Sequence, residues 1–223
     1  MCGRFNVIDN PELRALLTEL GIDLSLPSRS NIAPTETVAM VRGATRPELA
    51  ELRWWLVPAW AKQLDQKYAM FNARAEGLAN SRAFSLPFQR QRGIVPLSSF
   101  IEWRLQDGAK QPFLIQAQDE ALAVAAVWDR WQGPEHAVES CALVTVEADP
   151  RFRQIHRRMP LMLVGGERQR WLDVSSTPAA NDPLFAPTLK LPLRATPISR
   201  GVNNARNKAV DLLSATGEPL LMG

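Results

Sequence analysis

The chain opens MCGRFN, so one of the two cysteines in 223 residues stands directly behind Met1. Cysteine is small, so methionine aminopeptidase is expected to remove Met1 and leave Cys2 as the first mature residue. Cys2 would then carry an α-amine and a thiol on adjacent carbons. The α-amine has a pKa of about 7.7–8.0, against about 10.4 for lysine, so at about pH 7.5 roughly a third of it is neutral without any burial. A neutral amine condenses with an aldehyde to a Schiff base. Only a 1,2-aminothiol can then close its sulfur onto the imine carbon, giving a thiazolidine that resists hydrolysis. An internal cysteine cannot do this, because its nitrogen is locked in an amide. The position therefore points to an aldehyde-capturing nucleophile or to an N-terminal-nucleophile hydrolase. Cys2 as a chance occurrence or a small buried apolar residue is the competing reading, and on the MC pair alone it is the favoured one. Cys141, mid-strand among Ala142, Leu143 and Val144, reads as core. Cys2, Cys141, His136 and His156 are not at ligand spacing, so no zinc site is expected.

Other polar stretches stand out. NARAEG (72–77) sets Asn72, Arg74 and Glu76 in a row behind Met70-Phe71. FIEWR (100–104) embeds Glu102 in an apolar strand, where alternation puts it on the face opposite Ile101 and Trp103. There it is either a solvated outer residue or a partly buried carboxyl with a raised pKa, and the aromatic flanks tilt toward the second. RQIHRRMP (153–160) places His156 in the most basic segment of the chain. A lone histidine is more often structural, yet this residue type titrates near neutral pH and can shuttle protons, and Arg157 and Arg158 could grip a phosphate in bidentate fashion. His136 reads as a loop residue without a role. Among the seven tryptophans, Trp54 and Trp103 are most simply core. Trp60 follows a proline turn, and core and base-stacking readings are balanced for it.

The elements that must position these groups are mostly strands: 37–42, 50–57, 93–97, 99–104, 112–116, 121–128, 139–146 and 159–164, short, apolar and bounded by turn residues. A first helix opens at Asn10-Pro11, carries Leu13, Leu16, Leu17 and Leu20 at helical spacing, and closes at Gly21. Short helices are predicted at 75–83, 150–156 and 166–172. Residues 174–190 read as a surface excursion. The pattern predicts an α+β fold around a curved, largely antiparallel, barrel-like sheet with short peripheral helices, in one domain over residues 1–223. With 46% hydrophobic and 22% charged residues, the composition is that of a globular protein. No apolar run approaches the roughly 18 residues of a membrane span, and no secretory pattern is present, so an intracellular protein with reduced thiols is expected. The net charge of +3 permits an anionic partner without demanding one. Of the local basic clusters, Arg168 and Arg170 read as solvated surface.

MCGRF, NIAPT (31–35), the W-x-L-V-P-x-W stretch at 54–60, NARAEG, FIEW, QPF (111–113), IHRRMP and PISRGVNNARN (197–207) occur in one order. Together they resemble the SOS-response-associated peptidase (SRAP) family, also called abasic-site processing proteins, and cover residues 2–207. The resemblance implies an α+β fold with a basic groove that binds single-stranded DNA carrying abasic sites and links to it covalently. It implies that Cys2 forms the thiazolidine with the ring-opened deoxyribose, Asn72 positions nucleophile and sugar, Glu102 assists ring opening and proton movement at the amine, and His156 serves as acid/base near the sugar hydroxyl. Arg4, Arg74 and Arg158 would hold phosphates, and Trp60 would stack on a base beside the lesion. It implies no cofactor or metal, a monomer, a cytoplasmic location on DNA, and a Schiff base that could also support lyase-type cleavage. A cysteine peptidase with Cys2 as nucleophile and His156 as base, and a non-covalent single-stranded DNA binder, are the alternatives. The chain departs from the family pattern at three places: Arg157 stands where Asp is expected, Ser98-Ser99 where Asp-Gly is usual, and Trp55 where Gly is usual.

Overall fold

A computed structural model describes residues 3–64, 68–106 and 108–223. Cys2 lies outside the described residues. In chain order the elements are β1 (Phe5–Val7), α1 (Pro11–Glu19), β2 (Arg29–Ile32), β3 (Thr37–Arg42), β4 (Glu48–Trp54), β5 (Asn72–Arg74), α2 (Ser85–Arg90), β6 (Arg92–Leu97), β7 (Ser99–Gln106), β8 (Ala109–Ala117), β9 (Leu122–Gln132), β10 (Ala137–Glu147), β11 (Arg158–Pro160), α3 (Gly166–Leu172), β12 (Leu193–Pro197) and β13 (Leu220–Met222). No described helix is long and apolar enough to cross a membrane.

The strands form two sheets. One is antiparallel in the order β13-β12-β8-β7-β1-β2. The other runs β10-β4-β3-β6-β9 and closes, because β9 pairs back onto β10 from Ala137↔Gln132 to Leu143↔Ala126. Closure removes the exposed strand edges that an open sheet would present. β5 and β11 extend the barrel along β10, β5 in parallel register and β11 antiparallel. The fold is thus α+β around a barrel, mostly antiparallel, with three short α-helices outside it among the described residues.

Alternation along β7 divides its neighbours between two cores. Phe100 faces the main buried cluster, which runs continuously through both sheets and includes Phe5, Trp54, Ile115 and Phe152. Ile101 faces outward into a small cluster with Leu114, Ile198 and Val202. Phe5 packs on Trp54 with ring centroids 4.8 Å apart, and Trp54 donates its indole N–H to the Phe71 carbonyl at 2.9 Å. Trp55, at one of the family departures, lies 5.4 Å from Phe71 and so joins the same aromatic packing.

α1 forms as the sequence predicts. Asn10 caps it by accepting from the Leu13 N–H at 2.9 Å, Pro11 needs no partner in the first turn, and Leu13, Leu16 and Leu17 bury its inner face. Gly21 ends it at φ 77°, a left-handed conformation that only glycine adopts without strain. Several expectations fail on local grounds. The helix expected over 150–156 is a series of turns, and that over 75–83 contracts to a 3₁₀ turn at Ala75–Gly77. The strand expected at 159–164 splits: β11 pairs with β10, and Met162 then crosses to bridge Val124 of β9.

Two arginines are buried, and one of them, Arg168, was expected at the surface. Arg168 links α3 to Glu19 of α1 and to Glu120. Arg92, 1% exposed, donates to the carbonyls of Trp171 at 2.6 Å, Phe88 at 2.8 Å and Ser176 at 2.7 Å, and to that of Asp173. Burial lowers its pKa to about 10, opposed by nearby Asp173, so the guanidinium stays charged at neutral pH. It ties the ends of α2 and α3 to the barrel strand β6.

Candidate active site

A cavity of about 570 Å³ opens beside β7 and is lined by Arg4, Glu102, Trp103, Lys110, His156 and Asn203. Three of the residues singled out in the sequence, Arg4, Glu102 and His156, therefore meet in one place. Arg4 is brought there by β1, whose pairing with β7 sets Phe5 against Phe100 and lets the Ile101 N–H donate to the Arg4 carbonyl at 2.9 Å. Ser98 and Ser99 stitch this seam. Asn6 donates to Ser99 Oγ at 2.8 Å, Ser98 Oγ donates to the Asn6 carbonyl at 3.0 Å, and Ile8 N–H donates to Ser98 Oγ at 3.1 Å. Ser98 and Ser99 thus hold the N-terminal strand in register.

Glu102 is 2% exposed, opposite Phe113 on the core-facing side of β7. The carboxylate is thus buried and not a solvated outer residue. Trp103, expected in the core, is half-buried at the cavity wall. Its indole N–H donates to Asn203 Oδ1 at 2.7 Å, and the Arg4 guanidinium sits 5.9 Å from its ring centre. Burial lowers the Arg4 pKa, and the Glu36 charge works against this.

Asn203 arrives in the 3₁₀ turn Arg200–Asn203, which is fastened by a residue far away in sequence. Asn31, buried at φ 50°, directs its side-chain amide at the carbonyls of Val202, Asn204 and Asn207 at 3.1, 3.1 and 2.9 Å. Lys208 Nζ returns to the Asn31 carbonyl at 2.8 Å. The NIAPT and GVNNARN motifs therefore co-occur because one pins the other at the cavity rim.

His156 follows a run of turns organised by Asp149. This buried carboxylate accepts from Arg151 Nε and Nη2 at 2.9 and 3.0 Å, and from the main-chain N–H of Arg151 and Leu189 at 2.8 and 3.0 Å. The Arg151 side-chain bonds, reinforced by the two main-chain donors and outweighing the effect of burial, hold its pKa far below the usual carboxylate range. A folded-state pKa below the unfolded value of about 3.9 means that this stabilisation is complete above about pH 5 and is lost as pH falls through the acid range. Asp149→Asn should therefore cost about 1.5–3 kcal/mol at neutral pH and flatten the acid limb of a stability-versus-pH curve. An acid limb unchanged by the substitution would contradict this assignment.

The His156 ring contacts the main chain two residues on. Its Nδ1 lies 3.0 Å from both the N and the O of Arg158. Beyond this point a second cavity, of about 470 Å³, is lined by Arg74, Glu147, Arg153, Arg157 and Arg158. His156 lines the first cavity, and its sequence neighbours Arg157 and Arg158 line the second. The Arg158 side chain is engaged by Glu76 at 2.7 and 3.1 Å and by the Thr145 carbonyl at 2.6 Å. Burial raises the Glu76 pKa, but the Arg158 hydrogen bonds and the Arg74 charge outweigh it and leave the carboxyl below its ordinary value. Among the described residues no carboxylate lies within ion-pair distance of Arg74, Arg153 or Arg157. Asn72 is 8% exposed at the start of β5, paired with Leu143 of β10, two residues before Arg74. It does not line either cavity.

Trp60 is 53% exposed and lies in a separate, largely apolar groove with Leu56, Pro58, Tyr68 and Met70. Arg82 stacks on its ring at 4.2 Å and accepts its indole N–H through the main-chain oxygen at 3.1 Å. The structure thus favours the exposed reading of Trp60. Lys110, Asn203 and Arg153 were not singled out in the sequence. Lys110 carries no local signal; Asn203 lies inside the late PISRGVNNARN stretch; Arg153 lies inside the basic segment around His156.

Cys141 is fully buried in β10, and burial pushes its thiol pKa up to about 12. Alkylation of the folded protein with iodoacetamide should therefore leave Cys141 unmodified, with Cys141 reacting only after denaturation. Double labelling of the folded protein, read by peptide mass, would contradict this.

The family model described as SOS response associated peptidase (SRAP) matches residues 1–205. The chain is 31% identical to the abasic site processing protein YoqW of Bacillus subtilis, over 96% of this chain and 100% of that one. It is 27% identical to the abasic site processing protein YedK of Escherichia coli, over 96% and 99% of the two chains. A crystal structure of a protein from Bacteroides thetaiotaomicron superposes with a TM-score of 0.76 at 19% identity, covering 96% of this chain and all of that one, and so shares its fold. On the match over residues 1–205 and the relatives aligned along nearly its whole length, this chain belongs to the SRAP family.

Proposed function

We propose that this protein binds abasic sites in single-stranded DNA and captures them covalently through Cys2, acting as a cytoplasmic monomer. The observation that carries the reading is the convergence of Arg4, Glu102 and His156 on one cavity, with an arginine-lined cavity beside it. An abasic site is a masked aldehyde on a polyanion. Its capture needs a nucleophile, proton transfer at the sugar, and cations along the strand. Arg4, which lines the cavity, is two residues downstream of Cys2.

In this reading Glu102 moves the proton that opens the sugar hemiacetal to its aldehyde. The Cys2 amine adds to the aldehyde carbon and water leaves, giving an imine. The thiol then adds to the imine carbon while its proton passes to the nitrogen, closing the thiazolidine. Asn72 orients nucleophile and sugar, and His156 handles protons near the sugar hydroxyl. The imine stage also supports strand cleavage by β-elimination. Trp60 stacks on a base beside the lesion, worth about 1–3 kcal/mol. Arg4 and Arg74 hold phosphates, while Arg158, braced by Glu76, shapes the wall between the cavities and meets the strand there.

The test is incubation with an abasic single-stranded oligonucleotide followed by denaturing electrophoresis. A band retarded only with the abasic strand is expected. Its absence, with Met1-free protein, would overturn the reading. A non-covalent binder would instead show lesion-independent affinity alone.

The second cavity adds a quantitative prediction. Each phosphate neutralised on a single strand contributes about −0.7 to the slope of log K against log[salt]. Arg153→Ala with Arg157→Ala should make the slope for undamaged single strands shallower by about 1.4. An unchanged slope would remove these two residues from the DNA path.

A further inference from the structure

We propose that a cavity walled by the C-terminal segment binds one nucleotide, its phosphate held by Arg104 and Arg200 and the amino group of its base by Gln111 and Glu218. The cavity measures about 550 Å³ and opens at the end of β7, past the strand positions that carry Glu102 and Trp103. Arg104 and Gln111 stand opposite each other on β7 and β8. Arg200 is the first residue of the 3₁₀ turn Arg200–Asn203. The remaining wall is fixed by the end of the chain. Ala215 bridges Ile198, the Thr216 N–H donates to the Pro197 carbonyl at 2.9 Å, and Leu220 of β13 pairs with Ala195 of β12. Glu218 lies between the last two anchors, so the loop that presents it is held at both ends.

The polar groups here divide into two kinds. Among the described residues no carboxylate lies within ion-pair distance of Arg104 or Arg200, and Glu218 has no ion pair. Three charged side chains thus share one cavity without neutralising one another. Gln111 uses its amide hydrogens on main-chain carbonyls, on Pro112 at 3.0 Å and on Ile198 at 2.9 Å. What it can offer a ligand is its oxygen, an acceptor. The cavity therefore holds two guanidinium forks that only donate, and a carboxylate and an amide oxygen that only accept.

A nucleotide matches this division. A phosphodiester carries one negative charge and offers only acceptor oxygens, and a guanidinium fork grips such a group in bidentate fashion. Two arginines against one glutamate leave the cavity positive, as that group requires. The two acceptors need an N–H from the ligand. Cytosine, adenine and guanine carry an exocyclic amino group, and thymine does not. Pro197 and Leu220, both half-buried on the wall, give a flat base an apolar surface. The volume falls within the range of about 300–1,000 Å³ usual for small-ligand sites. The candidate active site is close in the chain: Arg104 follows Trp103 on β7, and Arg200 and Asn203 share one turn. One residue of a DNA strand and a free mononucleotide offer the same chemistry.

The inference goes beyond the proposed function, and its test uses the full chain with undamaged strands. Fluorescence anisotropy with oligo(dC) and oligo(dT) of equal length is expected to show severalfold tighter binding of oligo(dC). Arg104→Ala with Arg200→Ala should remove that preference and make the slope of log K against log[salt] for oligo(dC) shallower by about 0.7, the share of one phosphate. Glu218→Ala should narrow the preference without flattening the slope. None of the three side chains is buried, so the variants keep the fold. Titration of dCMP into ¹⁵N-labelled protein separates the two sources. Shifts of the Gly201 and Thr216 amides, absent from the double variant, show that a free nucleotide suffices; binding of oligo(dC) alone assigns the site to the strand. Equal affinity for the two strands with no response to dCMP, or a preference and slope that survive the double substitution, would overturn the inference. A missing abasic adduct with the oligo(dC) preference intact would overturn the proposed function instead.

Discussion

Replacing Cys2 with alanine is expected to abolish the denaturation-resistant adduct proposed with abasic single-stranded DNA but to leave an imine that borohydride can trap. The α-amine survives in this variant, so it still condenses with the sugar aldehyde. Without the neighbouring sulfur the imine cannot close to a ring, and it hydrolyses when the protein is denatured. No other thiol can substitute: Cys141 is fully buried, and its pKa is pushed to about 12. Cys2→Ser separates the two nucleophiles further, because an oxygen closes onto an imine less readily than sulfur does. The readout is denaturing electrophoresis with and without borohydride. A Cys2→Ala adduct as durable as that of the natural protein would show that the sulfur has no part in capture.

The largest effect on stability is expected at Arg92. Its guanidinium serves four carbonyls at the ends of α2 and α3 and has no exit to water. Arg92→Met keeps much of the volume and removes every donor, leaving buried oxygens unpaired. Each buried carbonyl left without a donor costs about 1–3 kcal/mol, so the sum lies well above the roughly 1 kcal/mol typical of a point substitution. Arg92→Lys recovers part of the loss, since an ammonium has three donors but cannot span the fork. Urea unfolding checks this through the midpoint at unchanged slope. A Met variant within about 1 kcal/mol of the parent would mean that the carbonyls find other partners.

How far the sequence foretold this molecule depended on the reach of each signal. α1 was legible because its cap, its leucine spacing and its terminal glycine all lie within a dozen residues. The long apolar barrel strands were legible for the same reason. β1, β5 and β13 span three residues each, too few to show a period, and exist because neighbouring strands complete their ladders. The surface reading of Arg168 failed, and nothing marked Arg92 as buried, because composition does not reveal that carbonyls or carboxylates from distant segments will converge on them. Arg4, Glu102 and His156 were found through motif order and through a carboxylate set in an apolar strand. Lys110 had no such mark and is placed at the cavity only by its register opposite Leu105. Trp103 looked like core because its neighbours are apolar; Asn203, a hundred residues on, draws its indole to the cavity wall.

Covalent capture by the first mature residue is tested most directly by intact mass spectrometry of the protein after mixing with an abasic single-stranded oligonucleotide and denaturing. The predicted species has the mass of the protein without Met1 plus the oligonucleotide less one water, with the link mapping to Cys2. Only the separate masses, from protein shown to lack Met1, would contradict the account.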